Sequence, residues 1–225
     1  MPHSKVLSHD IMPAAALQQL KEGNFRFINN LSRNRDLLEL VNKTKDGQWP
    51  FAAILSCMDS RTSAELIFDQ SLGDIFSIRI AGNVIMDEVL GSLEYATAVA
   101  GSRLIVVLGH TNCGAIKGAC DHVEMGHLTA LLDRIQPAVQ MEQTISENRN
   151  STNAGFVEAV SRLNVKHSVQ QILNKSRVIR SLVMEGNLGV VPAMYDVATG
   201  KVSFFEKEAC LQPEDLLQEA AKEVM

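Results

Sequence analysis

The chain is poor in cysteine and proline, and it contains no long apolar run. Four cysteines in 225 residues, at positions 57, 113, 120 and 210, are too few and too scattered for a disulfide scaffold. No two of them are spaced as Cys-x-x-Cys, so a thioredoxin-like redox role has little support. Six prolines beside an apolar fraction of 46% argue against disorder and for a real core. No stretch reaches the roughly 18 apolar residues of a membrane span. The first ten residues carry no apolar segment of signal-peptide length, so a cytoplasmic protein is expected. Positive charge is not concentrated either. The net charge is −5 with acidic and basic residues interspersed, unlike the basic stripe of a nucleic-acid binder. Gly82, Gly91 and Gly101 do not form a phosphate loop after a strand, which disfavours nucleotide binding.

What the chain does have is alternation of short apolar runs with helical patterns. The pattern predicts a helical arm from Pro13 to Leu31 and from Asp36 to Lys45. Strands follow, ending near Ser56 and spanning Ile75 to Ile80 and Arg103 to Leu108. The last is a nearly continuous Leu, Ile and Val run that suits a strand buried on both faces. Asp87 is read as the cap of a helix running to Gly101, and Gly114 to Ala119 starts another helix. Leu128 to about Ile145, offset by Pro137, and Gly155 to Asn174 read as long helices, and Ser176 to Glu185 as a shorter one. Gly189 to Val197 and Lys201 to Glu206 form an edge hairpin, and Pro213 to Val224 a closing helix. With no repeat and no linker, the expectation is one domain over 1–225: a helical arm (1–45), a core (46–206) and a C-terminal helix (207–225). Its class is α/β, with a mainly parallel sheet flanked by helices. Ligands of such sheets sit outside the carboxyl ends of the strands.

Two of those strand ends carry chemistry. Cys57-Met-Asp-Ser-Arg61 follows the first strand, and Gly109-His-Thr-Asn-Cys-Gly114 follows the strongest one. Cys57, His110 and Cys113 would give zinc a Cys2His set with an open fourth position. Spacing alone is weak support, because a cysteine at a strand end is often just a small buried hydrophobe. Asp59 and Arg61 sit two apart on a turn, where they can pair bidentately. They are either an exposed surface pair or, beside a metal, a dyad in which Arg61 keeps Asp59 ionised.

Together the two motifs resemble the signature of the β-class carbonic anhydrases. Arg79-Ile-Ala-Gly-Asn83 resembles that family's Arg-Asn-x-x-Asn segment, with Ile80 in place of an asparagine. The likeness continues through Leu93-Glu-Tyr-Ala96 and Val191 to Val202, covering roughly residues 45 to 205. The resemblance implies one Zn2+ per subunit on Cys57, His110 and Cys113, and reversible hydration of CO2 to bicarbonate and a proton by a zinc-bound hydroxide. It gives Asp59 the task of orienting that hydroxide, with Asp59 a possible fourth ligand in a closed state, and Arg61 the task of fixing Asp59. Two thiolate ligands imply activity on the alkaline side. Gln48, nine residues before Cys57, matches the glutamine that open-site members place on a substrate oxygen. Ile54 and Thr62 stand where the bicarbonate-regulated type carries tryptophan and valine, which also favours the open type. Phe76 and Tyr95 match pocket residues that the family places across a subunit boundary, implying a homodimer or a larger assembly such as a tetramer. By residue type alone they read as ordinary core. His122 and His127 read as solvated, and Cys120 as packing. Two other readings stay open: hydrolysis of carbonyl sulfide or carbon disulfide at the same site, and a non-catalytic zinc-stabilised protein.

Overall fold

The sheet is built outward from its most apolar strand. β3 (Leu104–His110) is buried along its whole length and lies at the middle of the five-stranded order β2-β1-β3-β4-β5. The computed structural model that establishes this describes residues 11–212, 214 and 215. β1 (Ala52–Ser56), β2 (Ile75–Arg79), β3 and β4 (Gly189–Tyr195) run parallel, and β5 (Val202–Phe204) closes the edge antiparallel to β4. This is the mainly parallel α/β sheet with an edge hairpin expected from the sequence.

Period-two alternation divides each inner strand between two layers. Ala53, Leu55, Ile105, Val107, Val190 and Met194 face α4 (Asp87–Glu94), α8 (Ala154–Lys175) and α9 (Arg177–Met184). Ala52, Ile54, Leu104, Val106 and Leu108 face α1 (Pro13–Ile28) and α3 (Ala64–Ile67). Each fully buried Leu, Ile or Val contributes on the order of 1.5–3 kcal/mol. A third apolar cluster caps the carboxyl ends of the strands. It combines α5 (Gly114–Cys120), α6 (Gly126–Leu132), α7 (Gln136–Met141) and the start of α8, and it includes Cys57 and Cys113.

The link between the two arm helices is tied to the core by one carboxylate. α1 buries Ala16, Leu17 and Leu20 but leaves Phe25 and Ile28 exposed, and it ends three residues before the expected Leu31. α2 (Leu37–Thr44) starts on Asp36, whose side chain accepts from Glu39 N at 3.0 Å. Arg26 from the last turn of α1 and Arg35 from the link both reach the buried Asp69, and Arg33 N donates to it at 3.2 Å. Burial pushes the Asp69 carboxyl up, but Arg35, Arg26 and the Arg33 N–H more than offset it and hold it below the usual value.

Three expectations are corrected. Asp87 does not cap α4: Met86 occupies the cap position without a side-chain bond, and Asp87 is the first helical residue. An acidic residue there still faces the positive end of the helix. The helix expected over 128–145 is two helices, because Pro137 lacks an N–H and its ring clashes with the preceding turn. Pro137 instead sits in the first turn of α7, where that N–H is not needed. After Glu94 the chain continues as one π-helical turn, Tyr95–Val99, rather than as regular α-helix. The closing helix expected over 213–224 lies almost wholly outside the described residues.

Candidate active site

The strand order brings the two motifs together. β1 and β3 are neighbours with Ser56 opposite Leu108, so Cys57 leaves β1 beside Gly109 and His110 at the end of β3. The connection from β1 runs to β2 on one side, and β3 lies on the other. This is a topological switch point, where open α/β sheets form their ligand crevices. Gly109 is there because the neighbouring strand β4 and the helix α8 crowd it: a Cβ on it would lie 2.7 Å from Met194 Sδ and 3.2 Å from Val165 Cγ1.

After His110 the chain turns sharply. Asn112 adopts φ +57°, a left-handed conformation that asparagine tolerates, and the reversal carries Cys113 back beside His110. The turn is held to β4 by Thr111 N on Tyr195 O at 2.9 Å and by Val197 N on Thr111 Oγ1 at 3.0 Å. The Lys117 ammonium steadies Asn112 Oδ1 from the second turn of α5.

Cys57, His110 and Cys113 are all buried, and their donor atoms lie within 4.8 Å of one another. The two Sγ atoms are 3.9 Å apart. His110 Nδ1 lies 2.9 Å from Thr111 O, leaving Nε2 buried without a hydrogen-bond partner. An orphaned imidazole nitrogen facing two sulfurs is costly unless an electrophile or proton is shared there. The hydrogen bond with Cys113, against the opposing effect of burial, lowers Cys57, and the Gly82 and Asp59 backbone act in the same direction. Cys113 is pushed upward by that same bond, by burial and by the Cys57 charge. Among the described residues this is the one grouping of three such donors with metal-binding separation.

Asp59 and Arg61 form the bidentate pair, with Nε on Oδ1 at 2.9 Å and Nη2 on Oδ2 at 2.8 Å. Arg61 N adds a third bond to Oδ1 at 3.0 Å. The guanidinium hydrogen bond, against a smaller opposing effect of burial, holds the Asp59 carboxyl well below the usual carboxylate range. Asp59 is not among the clustered donors. Its two oxygens are engaged by Arg61.

Two residues to which the sequence assigned no such role hold the 57–62 loop in shape. Thr62, buried, donates its hydroxyl to Cys57 O and to Asp59 O, both at 2.9 Å. Arg79, at the end of β2, places Nε on Cys57 O at 3.2 Å and Nη2 on Asp59 O. The carbonyls of a candidate metal ligand and of the dyad acid are thus gripped by the same two side chains. Arg79 was visible only as part of a family segment, because its contact spans 22 residues and depends on the pairing of β1 with β2.

The remaining site candidates fall elsewhere in the subunit. Phe76 and Tyr95 meet edge-on, ring centroids 6.2 Å apart, and line an open cavity of about 400 Å³ with Ile78, Glu88, Gly91 and Ser92. None of the cysteine, histidine or dyad residues lines that cavity, and Tyr95 is 53% exposed. Gln48 lies before β1, near Gly73, at the opposite end of the strand from Cys57. Five strand residues at about 3.3 Å each separate the two. His122 and His127 are exposed.

Comparison with known proteins agrees with this arrangement. Residues 52–202 match the family described as carbonic anhydrase. Carbonic anhydrase 2 of Mycobacterium tuberculosis is 36% identical over 197 residues, covering 84% of this chain and 91% of that protein. A solved β-carbonic anhydrase of Aspergillus fumigatus superposes with a TM-score of 0.69 at 26% identity, covering 92% of this chain and 95% of its own. A tetrameric β-carbonic anhydrase of Sordaria macrospora gives a TM-score of 0.64 at 25% identity, covering 73% and 84%. Sheet order, strand-end residues and these likenesses converge, and the chain belongs to the carbonic anhydrase family of enzymes, in its β class.

Proposed function

We propose that this enzyme hydrates CO2 reversibly at a zinc ion held by Cys57, His110 and Cys113. The observation that carries the reading is the buried donor set itself, with His110 Nε2 lacking any partner. Its dimensions suit the ion: the 3.9 Å between sulfurs compares with about 3.8 Å for two thiolates at roughly 2.3 Å on one tetrahedral zinc. When bound, zinc supplies a Lewis acid that lowers the pKa of a water toward 7 and so provides a hydroxide nucleophile near neutral pH.

The protein's own groups do the rest. Cys57 and Cys113 donate negative charge, and the bond from His110 Nδ1 to Thr111 O sets the tautomer that leaves Nε2 free to bind. Asp59 keeps its charge because of Arg61, and it accepts a hydrogen bond from the attacking water, turning the oxygen lone pair toward carbon. Arg79 and Thr62 fix the distance between that acceptor and Cys57. Bicarbonate leaves, and the proton released in forming it passes to solvent. Because Asp59 stays on Arg61, the open site is the resting arrangement in this reading.

The functional unit in this reading is a homo-oligomer, at least a dimer. Within one subunit Gln48 lies at the far end of β1, and a Gln48 that meets substrate would come from a second copy. The half-buried Phe76 and the exposed Tyr95 supply an apolar edge for such a partner, and the relative from S. macrospora is a tetramer. No helix among the described residues is long and apolar enough to cross a membrane. The test is stopped-flow CO2 hydration by the zinc-loaded protein from pH 6 to about 9. Turnover rising toward the alkaline end is expected, and bound zinc with no turnover across that range would contradict the reading.

A further inference from the structure

The Cys57 sulfur receives one hydrogen bond from outside both motifs. Gly82 N donates to Cys57 Sγ at 3.4 Å in a buried setting. That N–H belongs to a single 3-10 turn, Ala81–Asn83, between β2 and α4. Gly82 holds φ +66°, and a Cβ there would lie 2.7 Å from Ile135 Cδ1 and 3.3 Å from Ala115 Cβ. Backbone this close to a thiol needs something to hold it, and α8 provides it. Asn164 Nδ2 donates to Gly82 O at 2.8 Å, and Ser168 Oγ to Asn83 O at 3.3 Å. The two residues are four apart on one helical face, and each is only 2% exposed. An asparagine amide buried in the middle of a 22-residue helix is unfavourable both for the helix and for burial. Here its bond goes to the residue that meets the sulfur. Ser161 makes the contrast: it is equally buried on α8, yet it bonds only Val157 O of its own helix at 2.8 Å.

We propose that Asn164, assisted by Ser168, is a positioning residue for the metal centre: it fixes the 81–83 turn so that Gly82 N–H stays on the Cys57 sulfur and moderates how strongly that sulfur donates. The proposal rests on reading Cys57 as a metal ligand. An N–H bond to a thiolate withdraws electron density, leaving a weaker donor and a more acidic metal, and groups that orient metal ligands typically change affinity or activity 10–100-fold. The link from helix α8 to the donor set thus runs through two hydrogen bonds, with no α8 side chain among the three donors.

The experiment titrates the reduced, metal-free full chain with Co2+, following the sulfur-to-cobalt charge-transfer band, and measures Zn2+ affinity by competition with a chromophoric chelator. Asn164→Ala should bind zinc about tenfold more weakly, because the 81–83 turn no longer holds Cys57 in place, and should move the band to longer wavelength, since the freed sulfur donates more strongly. Ser168→Ala should move both in the same direction by less, and it carries the test if Asn164→Ala fails to fold. Ser161→Ala should match the unaltered protein in band and affinity even if it melts at lower temperature. An unmoved band and affinity in Asn164→Ala, or an equal shift in Ser161→Ala, overturns the proposal while leaving the metal site intact. An unaltered protein that takes up no cobalt at the thiolates overturns both.

Discussion

At the scale of single residues, the dyad and the clamp on its loop should separate binding from chemistry. Asp59 contributes no atom to the three-donor cluster, so Asp59→Ala should keep zinc and lose on the order of 10²-fold in CO2 hydration. Equal loss of metal and activity, measured by metal analysis beside stopped-flow rates, would make Asp59 structural. Arg61 holds the Asp59 carboxyl well below its ordinary range, so Asp59 remains ionised throughout the working pH range. A fall in rate below neutrality is therefore not its protonation. Thr62→Val and Arg79→Ala remove different bonds to the same two carbonyls. Each should slow hydration about tenfold, with their effects in the double variant summing to less than the two alone. Independent, additive effects would mean the two side chains do not share a task.

At the scale of elements, the link between α1 and α2 depends on one buried carboxylate. Asp69→Ala leaves Arg26 and Arg35 without their shared partner, and loss of one partner of a buried pair costs about 3–5 kcal/mol. Chemical denaturation should show that loss, and proteolysis should reach the 29–36 link first. The sign with pH follows from the lowered Asp69 value. A carboxyl depressed on folding stabilises above its unfolded value and loses that contribution as pH falls through the folded one. The difference between Asp69→Ala and the unaltered protein should therefore be full above about pH 5 and shrink below about pH 4. Much at this scale was legible in the sequence. β1 and β3 are apolar runs that only a doubly buried strand explains, and both motifs sit at strand ends because parallel sheets place ligands there. The α6–α7 break was half legible, because Pro137 was visible but its place in a first turn was not. The Gly82–Cys57 and Asn164–Gly82 bonds left no local signal, since they join residues 25 and 82 apart through strand pairing and helix packing.

At the scale of the whole molecule, one subunit does not bring its candidate substrate residues together. Phe76 and Tyr95 line a cavity apart from the cysteines, and Gln48 lies at the far end of β1. Composition and periodicity describe a single chain, so they carried no sign of this separation; only the family resemblance pointed across a boundary. Analytical ultracentrifugation should find a dimer or larger, and Tyr95→Asp should both dissociate it and lower hydration, leaving the fold of the subunit intact. A fully active monomer would contradict a shared site.

The donor set can be tested most directly by replacing its first residue. Cys57→Ser removes one sulfur from beside Cys113 and spares the dyad side chains. Zinc content and CO2 hydration measured on the same preparation should fall together, from one ion per chain and full turnover to neither. Hydration at the original rate without zinc, or full zinc binding after Cys57 is gone, would contradict a centre built on Cys57, His110 and Cys113.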